Sequence, residues 1–290
     1  VYAVRTASQA AGGRGRSSEE AAAASGVSGG VSGKDEYQAA LALLENEIVN
    51  IVLLAGQDSG VSWAKEVLEG HLNTTAVNRR ERIGLIGVAG DEVDAIARHT
   101  FNSERVIAVA PGVAASQDDT PITLPSSYLA AAVAGLIASL PVQASPTNKV
   151  LTLSGLSKRF TASQLEKLVG SRVLAVEQRE GFRIVKGITT STNPAWHQIT
   201  TRRIVDYAIY GVRLACNPYI GKLNNERVRG AMKATLDAFL TRMVNDESLV
   251  GYSLTVTATR PQEVAGEAIV TMTLQPTFSI DFIKVTMYLG

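Results

Sequence analysis

Cysteine is almost missing from this chain. Of 290 residues only Cys216 carries a thiol, which excludes an intrachain disulfide framework and a cysteine zinc cluster and suits assembly in a reducing compartment. Histidine is nearly as scarce: His71, His99 and His197 lie far apart, without HxxxH or HExxH spacing, so a histidine-based metal site is not expected. There is no excess of one charge either. With 28 basic against 27 acidic side chains the net charge is +1, which leaves no electrostatic case for nucleic acid or a membrane surface. Long apolar runs are absent too. The most apolar stretch, 128–140, ends at Pro141, short of the roughly 20 residues of a membrane span, and is expected to be a buried helix. No repeat of about 20 to 50 residues is visible. The chain opens Val-Tyr-Ala-Val with no charged and apolar leader; no signal peptide is expected, and residues are expected upstream of Val1.

What is present is a large apolar fraction, 46% against 19% charged, enough for one large domain or two smaller ones. Residues 1–5 read as a short strand and 10–34 as a flexible alanine-, glycine- and serine-rich loop. A helix carrying Tyr37, Ala40, Leu41, Leu43 and Leu44 follows, and then a continuous apolar strand at 49–54. Helix 61–73, strand 82–88, helix 91–100 and strand 105–109 continue the alternation, which argues for an α/β layer with a mainly parallel sheet. Beyond the alanine-rich helix come a short strand at 150–153, a helix at 162–168, and a hairpin of 174–180 with 182–189 turning at Gly181. Two long helices follow. The first places Val205, Ala208, Ile209 and Val212 on one face; the second, capped by Asn224 or Asn225, carries Val228, Met232, Thr235, Leu236, Phe239 and Met243. Between them Tyr219, Gly221 and Lys222 read as a plain turn, and an alternating strand at 252–258 comes after.

Four motifs invite a catalytic or nucleotide reading. Gly26-Val27-Ser28-Gly29-Gly30 matches G-x-S-x-G, but a nucleophile elbow needs a strand before it and a helix after it, and the motif lies in the loop. Gly33-Lys34 lacks the first glycine of a phosphate loop, which is Ser28, and is followed by Asp35 instead of Ser or Thr. Gly84, Gly87 and Gly90 are spaced G-x-x-G-x-x-G, and Asp91-Glu92 stands where a pyrophosphate would sit. Helix–sheet packing with an acidic helix start fits them better than dinucleotide binding. Arg79, Arg80 and Arg82, beside Glu81, read as a solvated face or an inter-subunit ion-pair patch. No catalytic set with usable spacing emerges.

The end of the chain, 268–289, is the most patterned stretch. Ala268, Val270, Met272 and Leu274 alternate with polar residues, Gln275-Pro276 interrupts, and Phe278, Ile280 and Phe282 resume the alternation. At Phe282-Ile283 the phase slips, and Ile283, Val285, Met287 and Leu289 carry it on, as at a β-bulge or a strand changing sheets. Two readings stand: a closing strand of the chain's own sheet, or a strand lent to a neighbouring subunit.

From Lys186 onward the sequence resembles the C-terminal domain of contractile tail sheath proteins of phage tails, R-type bacteriocins and related injection machines. The residues that carry this are Lys186-Gly187-Ile188-Thr189-Thr190, Arg202-Arg203-Ile204-Val205-Asp206-Tyr207, Tyr219-Ile220-Gly221-Lys222 with Asn224-Asn225 and Arg229, and the strand Phe278-Ser279-Ile280-Asp281-Phe282-Ile283. More diffusely, 37–50 and 130–137 resemble the family's N-terminal half. The family's N-terminal arm is not expected among these residues, and the 10–34 loop is expected to stand where the largest sheaths carry peripheral insertion domains.

The resemblance implies an α/β to α+β fold of mixed sheets with flanking helices, divided as 1–145 and 146–290, with a terminal strand arm at 276–290. The C-terminal sheath domain would be completed by strands exchanged with neighbouring subunits. It implies a structural protein without catalysis, cofactor or metal. Six-fold rings would stack into a helical tube around an inner tail tube protein, bounded by baseplate and tail terminator proteins, with no nucleic acid and no membrane insertion. The location would be a virion tail or contractile particle assembled in the bacterial host cytoplasm. Phe278, Ile280, Phe282, Ile283, Val285 and Met287 would supply the shared strand. The alternatives are an α/β nucleotide-binding protein or enzyme using the Gly84 to Gly90 turn, and a baseplate or tail-completion protein sharing the domain.

Overall fold

Two short strands without a polar side chain set the centre of the molecule. The computed structural model describes residues 33–288; the expected strand at 1–5, the serine motif at 26–30 and nearly all of the 10–34 loop lie outside the described residues. Strands β1 (Ile51–Asp58), β2 (Ile83–Gly87), β3 (Val106–Ala110) and, further on, β7 (Val173–Gln178) pair in parallel in the order β1-β2-β3-β7. Every residue of β2 and β3 is buried, as strands covered on both faces require. One face is covered by α2 (Ala64–Val77), α3 (Val93–Ala97) and α5 (Ala162–Gly170), the other by the alanine-rich α4 (Ser126–Ser139). The short strands β6 (Val150–Leu151) and β8 (Phe182–Ile184) extend the sheet antiparallel beyond β7. The β7–β8 hairpin turns at Gly181, whose φ of +99° suits glycine. Strands from both sides of residue 145 therefore share one sheet. A small helix, α1 (Gly33–Ala42), precedes β1 and takes in Gly33 and Lys34, which the sequence placed at the end of the loop.

A hairpin that the sequence did not announce, β4 (Val113–Gln117) with β5 (Thr120–Leu124), leaves the carboxyl end of β3. Its root is tied down by Ala114 N–H on the Gly155 carbonyl at 3.1 Å. Pro121 and Pro125 hid this hairpin from the pattern, since proline argues against a strand.

The rest of the chain builds a second, smaller layer. Helices α6 (Ile199–Cys216) and α7 (Glu226–Asn245) pack against a two-stranded antiparallel sheet of β9 (Leu249–Thr257) and β10 (Ile269–Pro276), with the short α8 (Arg260–Val264) between the strands. Asn225 caps α7 by accepting the Val228 N–H at 3.0 Å. Register places Leu274, Met272 and Val270 opposite Tyr252, Leu254 and Val256, all against the helices. The buried stripe of α6 runs through Ile204, Ala208 and Val212, with Val205 and Ile209 half-buried beside it. On α7 it is Met232, Leu236, Leu240 and Met243, while Thr235 is exposed and hydrogen-bonds Tyr219 at 2.6 Å.

Candidate assembly site at the terminal segment

Beyond Pro276 the backbone leaves the sheet, and its first residues are held by a small polar clamp. Thr277 N–H donates to the Ser248 carbonyl at 3.1 Å. Gln198, at the start of α6, uses its side-chain amide as a strand would use its backbone. Its Oε1 accepts the Ser279 N–H at 2.9 Å, and its Nε2 donates to the Ser279 carbonyl at 2.9 Å and to Asp281 Oδ2 at 2.7 Å. Asp281 also accepts from the Thr147 hydroxyl at 3.0 Å and pairs with Lys186 at 3.7 Å. The direction in which the segment leaves the protomer is thus fixed from α6, from the loop before β6 and from the loop after β8.

After the clamp none of the described residues receives the chain. Residues 277–288 form no ladder with any described residue, so the expected second strand has no partner among the described residues of one protomer. A strand is defined by a partner, and none of the described residues supplies one. The reading in which it closes its own sheet finds no partner strand among the described residues. The six residues expected to carry it are all exposed: Phe278 by 56%, Ile280 by 80%, Phe282 by 83%, Ile283 by 74%, Val285 by 73% and Met287 by 86%. They follow one another along one segment outside any described sheet, and Leu289 lies outside the described residues.

Sequence reasoning missed the groups that hold the protomer's two layers in register. Arg105, just before β3, forks onto Asp206 of α6 with bonds of 2.9 and 3.1 Å. Arg202, one turn earlier on the same helix, reaches Asp206 and Glu104 at 2.6 Å each and lies 4.4 Å from the Trp196 ring centroid. All but Glu104 are largely buried, so the pairing is fork-to-carboxylate in a dry setting. The available signal was Arg202 and Asp206 at i and i+4 next to the apolar stripe of α6. A second buried guanidinium, Arg82, is 1% exposed and bonded to the Leu44, Glu47 and Arg80 carbonyls. That corrects the solvated-face reading for Arg82, while Arg79 and Arg80 are exposed. The Arg82 guanidinium also lies 3.1 Å from His71 Nε2; a donor-only partner requires the neutral imidazole, and burial followed by the nearby Arg82 charge lowers the His71 pKa to about 4.

The glycines of the nucleotide-like turn are used for packing. A Cβ on Gly87 would meet Ser127 N at 2.3 Å, and one on Gly84 would meet Leu68 and Leu72 of α2 at 2.9 Å. Gly87 is filled by the start of α4, and the helix after Gly90 has only five residues, so no phosphate cradle remains. Lys34 donates to Glu66 at 2.8 Å. No group of His, Cys, Asp and Glu that could hold a metal occurs among the described residues, and no helix there is long and apolar enough to cross a membrane.

A mixed sheet with flanking helices, a second two-stranded sheet, and an apolar terminus without a ladder partner among the described residues point to an assembly protein. The phage tail sheath protein central domain matches residues 30–190, and the phage tail sheath C-terminal domain matches residues 191–290. The chain belongs to the phage tail sheath family and is a structural sheath subunit. Among solved structures, it is similar to the contracted helical sheath of the anti-feeding prophage, with 21% identity and a TM-score of 0.71 over 88% of this chain and 74% of that one. The contracted sheath complex of the PVC extracellular contractile injection system gives 18% identity and a TM-score of 0.69, over 86% and 75%. The sheath tail protein of Desulfitobacterium hafniense gives 16% and 0.63, over 86% and 61%. No curated protein matches the chain.

Proposed function

We propose that the ribbon from Phe278 through Met287 completes a β-sheet in a neighbouring subunit, and that the working object is a helical sheath around an inner tube. The single observation that supports this most is the exposure of six apolar side chains on a segment whose root is clamped and whose length is free. Such a ribbon is a template for uncontrolled pairing unless a designated edge takes it. The β9–β10 sheet, two strands wide with an unpaired edge on each side among the described residues, offers that edge, and two strands alone are marginal. Burying each apolar side chain contributes roughly 1.5 to 3 kcal/mol, which largely offsets an ordering cost of about 1 to 2 kcal/mol per backbone residue, and the ladder hydrogen bonds of the added strand supply the rest.

Strand exchange keeps subunits linked while they rotate, so a strained extended lattice can pass to a contracted one by summing small interface differences over many copies. The baseplate and sheath likenesses agree with this reading. On it the subunit has no catalytic activity and works in a tail or contractile particle assembled in the host cytoplasm, with tube, baseplate and terminator proteins as partners. Removing residues 278–290 tests it: a soluble, folded subunit that forms no tubes under negative stain is expected, and normal tubes from the truncated chain would refute the strand-lending idea.

A further inference from the structure

A cleft of about 410 Å³ opens beside the clamped root of the terminal segment. Arg172 and Lys186 bring two positive charges to its lining, together with His197, Gln198, Phe278 and Asp281. The one carboxylate there is already taken up by Gln198, Thr147 and Lys186. Arg172 has no carboxylate partner among the described residues, and its Nε is buried without any hydrogen-bond partner. Burial, and then the neighbouring Lys186 charge, lower the His197 pKa, so the imidazole is neutral near pH 7. The cleft therefore keeps an unbalanced positive charge.

The opposite end of the molecule carries the complement. Between Arg105 and Lys149 the chain has only two charged residues, Asp118 and Asp119. Both sit at the tip of the β4–β5 hairpin, exposed and held at φ of +48° and +63°, the two-residue loop that matches strand twist. Neither carboxylate has an ion-pair partner among the described residues. The hairpin leaves the carboxyl end of β3, whereas Arg172 immediately precedes the amino end of β7, the parallel neighbour of β3. Acidic finger and cationic cleft thus point out of opposite ends of one sheet. They cannot meet within a protomer, but a head-to-tail neighbour brings them together, and a head-to-tail contact is the kind that propagates into rings or open helices.

We propose that the Asp118-Asp119 hairpin tip of one copy seats in the Arg172–Lys186 cleft of the next. This rests on the reading that copies assemble into a lattice, and it adds a polar contact, separate from the strand exchange, that fixes orientation and register between copies. Three samples of the full-length chain test it: the wild type, an Asp118→Lys/Asp119→Lys variant, and an Arg172→Glu variant. All three positions lie off the apolar core, and melting curves of the unassembled subunits verify folding. Each variant alone should need about tenfold or more higher concentration to form tubes. Wild-type assembly should weaken as salt rises. An equal mixture of the two variants should recover assembly, because the reversed finger of one meets the reversed cleft of the other. Tubes formed by either variant as readily as by the wild type would overturn the contact, and so would a loss that mixing does not repair. A wild type that never assembles would refute the lattice reading itself, and this contact with it.

Discussion

Strand β3 and the terminal ribbon are both rich in apolar residues and opposite in fate. Val106–Ala110 is a run of apolar residues with a partner on each side and complete burial. The stretch 278–288 alternates apolar residues just as strongly, yet it has no ladder partner and exposes Phe282 by 83% and Met287 by 86%. The hydrophobic effect acts on both equally, since it depends on area and not on which chain provides the cover. What differs is where the cover lies. For β3 it lies in helices of the same protomer; for the ribbon, on the proposed reading, it lies in another copy.

The sharpest way to break that contrast is to remove each partner in turn. Deleting 278–290 should abolish tube formation while leaving the melting transition of the subunit nearly unchanged, because no core residue depends on the ribbon; calorimetry and electron microscopy read the two effects. Replacing Asp206 by alanine should act inversely. It leaves Arg105 and Arg202 buried without their shared carboxylate, and should cost the subunit about 3 to 5 kcal/mol in urea denaturation.

Acid should weaken the core through His71. His71 has a folded-state pKa of about 4 against an ordinary value of 6.5, so the unfolded chain binds the proton first. The stabilisation from keeping this imidazole neutral is fully present above pH 6.5 and is lost as the pH falls towards 4, by at most about 3 kcal/mol. Denaturation of the truncated subunit at a series of pH values should show this fall, and His71→Gln, which retains an acceptor for Arg82, should flatten it. The smallest effect belongs to the glycine turn. Gly87→Ala forces a methyl against the backbone of Ser126 and Ser127 and should destabilise by about 1 to 3 kcal/mol without changing any nucleotide affinity, measured by calorimetric titration with ATP.

Much of this architecture was legible in the residues, and the exceptions have physical reasons. Apolar runs such as Ile83–Gly87 and Val106–Ala110 announce buried parallel strands, and Gly181 and Asn225 announce a turn and a cap through geometry that only a few residue types satisfy. The resemblance between 186 and 289 pointed to the ribbon residues before any coordinates. The clamp was not legible, because Gln198, Thr147 and Asp281 are distant in sequence and each is an ordinary polar residue until the fold joins them. Arg82 was misread for a related reason: local sequence shows its charge but not the carbonyls of Leu44 and Glu47 that replace its water. The β4–β5 hairpin was hidden by its prolines. The α6 and α7 stripes were largely legible, Ala208, Val212, Met232, Leu236 and Met243 being buried as expected, and only their margins differ, with Ile204 and Leu240 added and Thr235 exposed.

Amide hydrogen exchange on residues 278–288, in unassembled subunit and in assembled tubes, tests the central claim most directly. Fast exchange in the free subunit and alternating strong protection in the tube, with new protection along an edge of the β9–β10 sheet, is the predicted result. Equal protection of the ribbon in both states, or none in either, would contradict it.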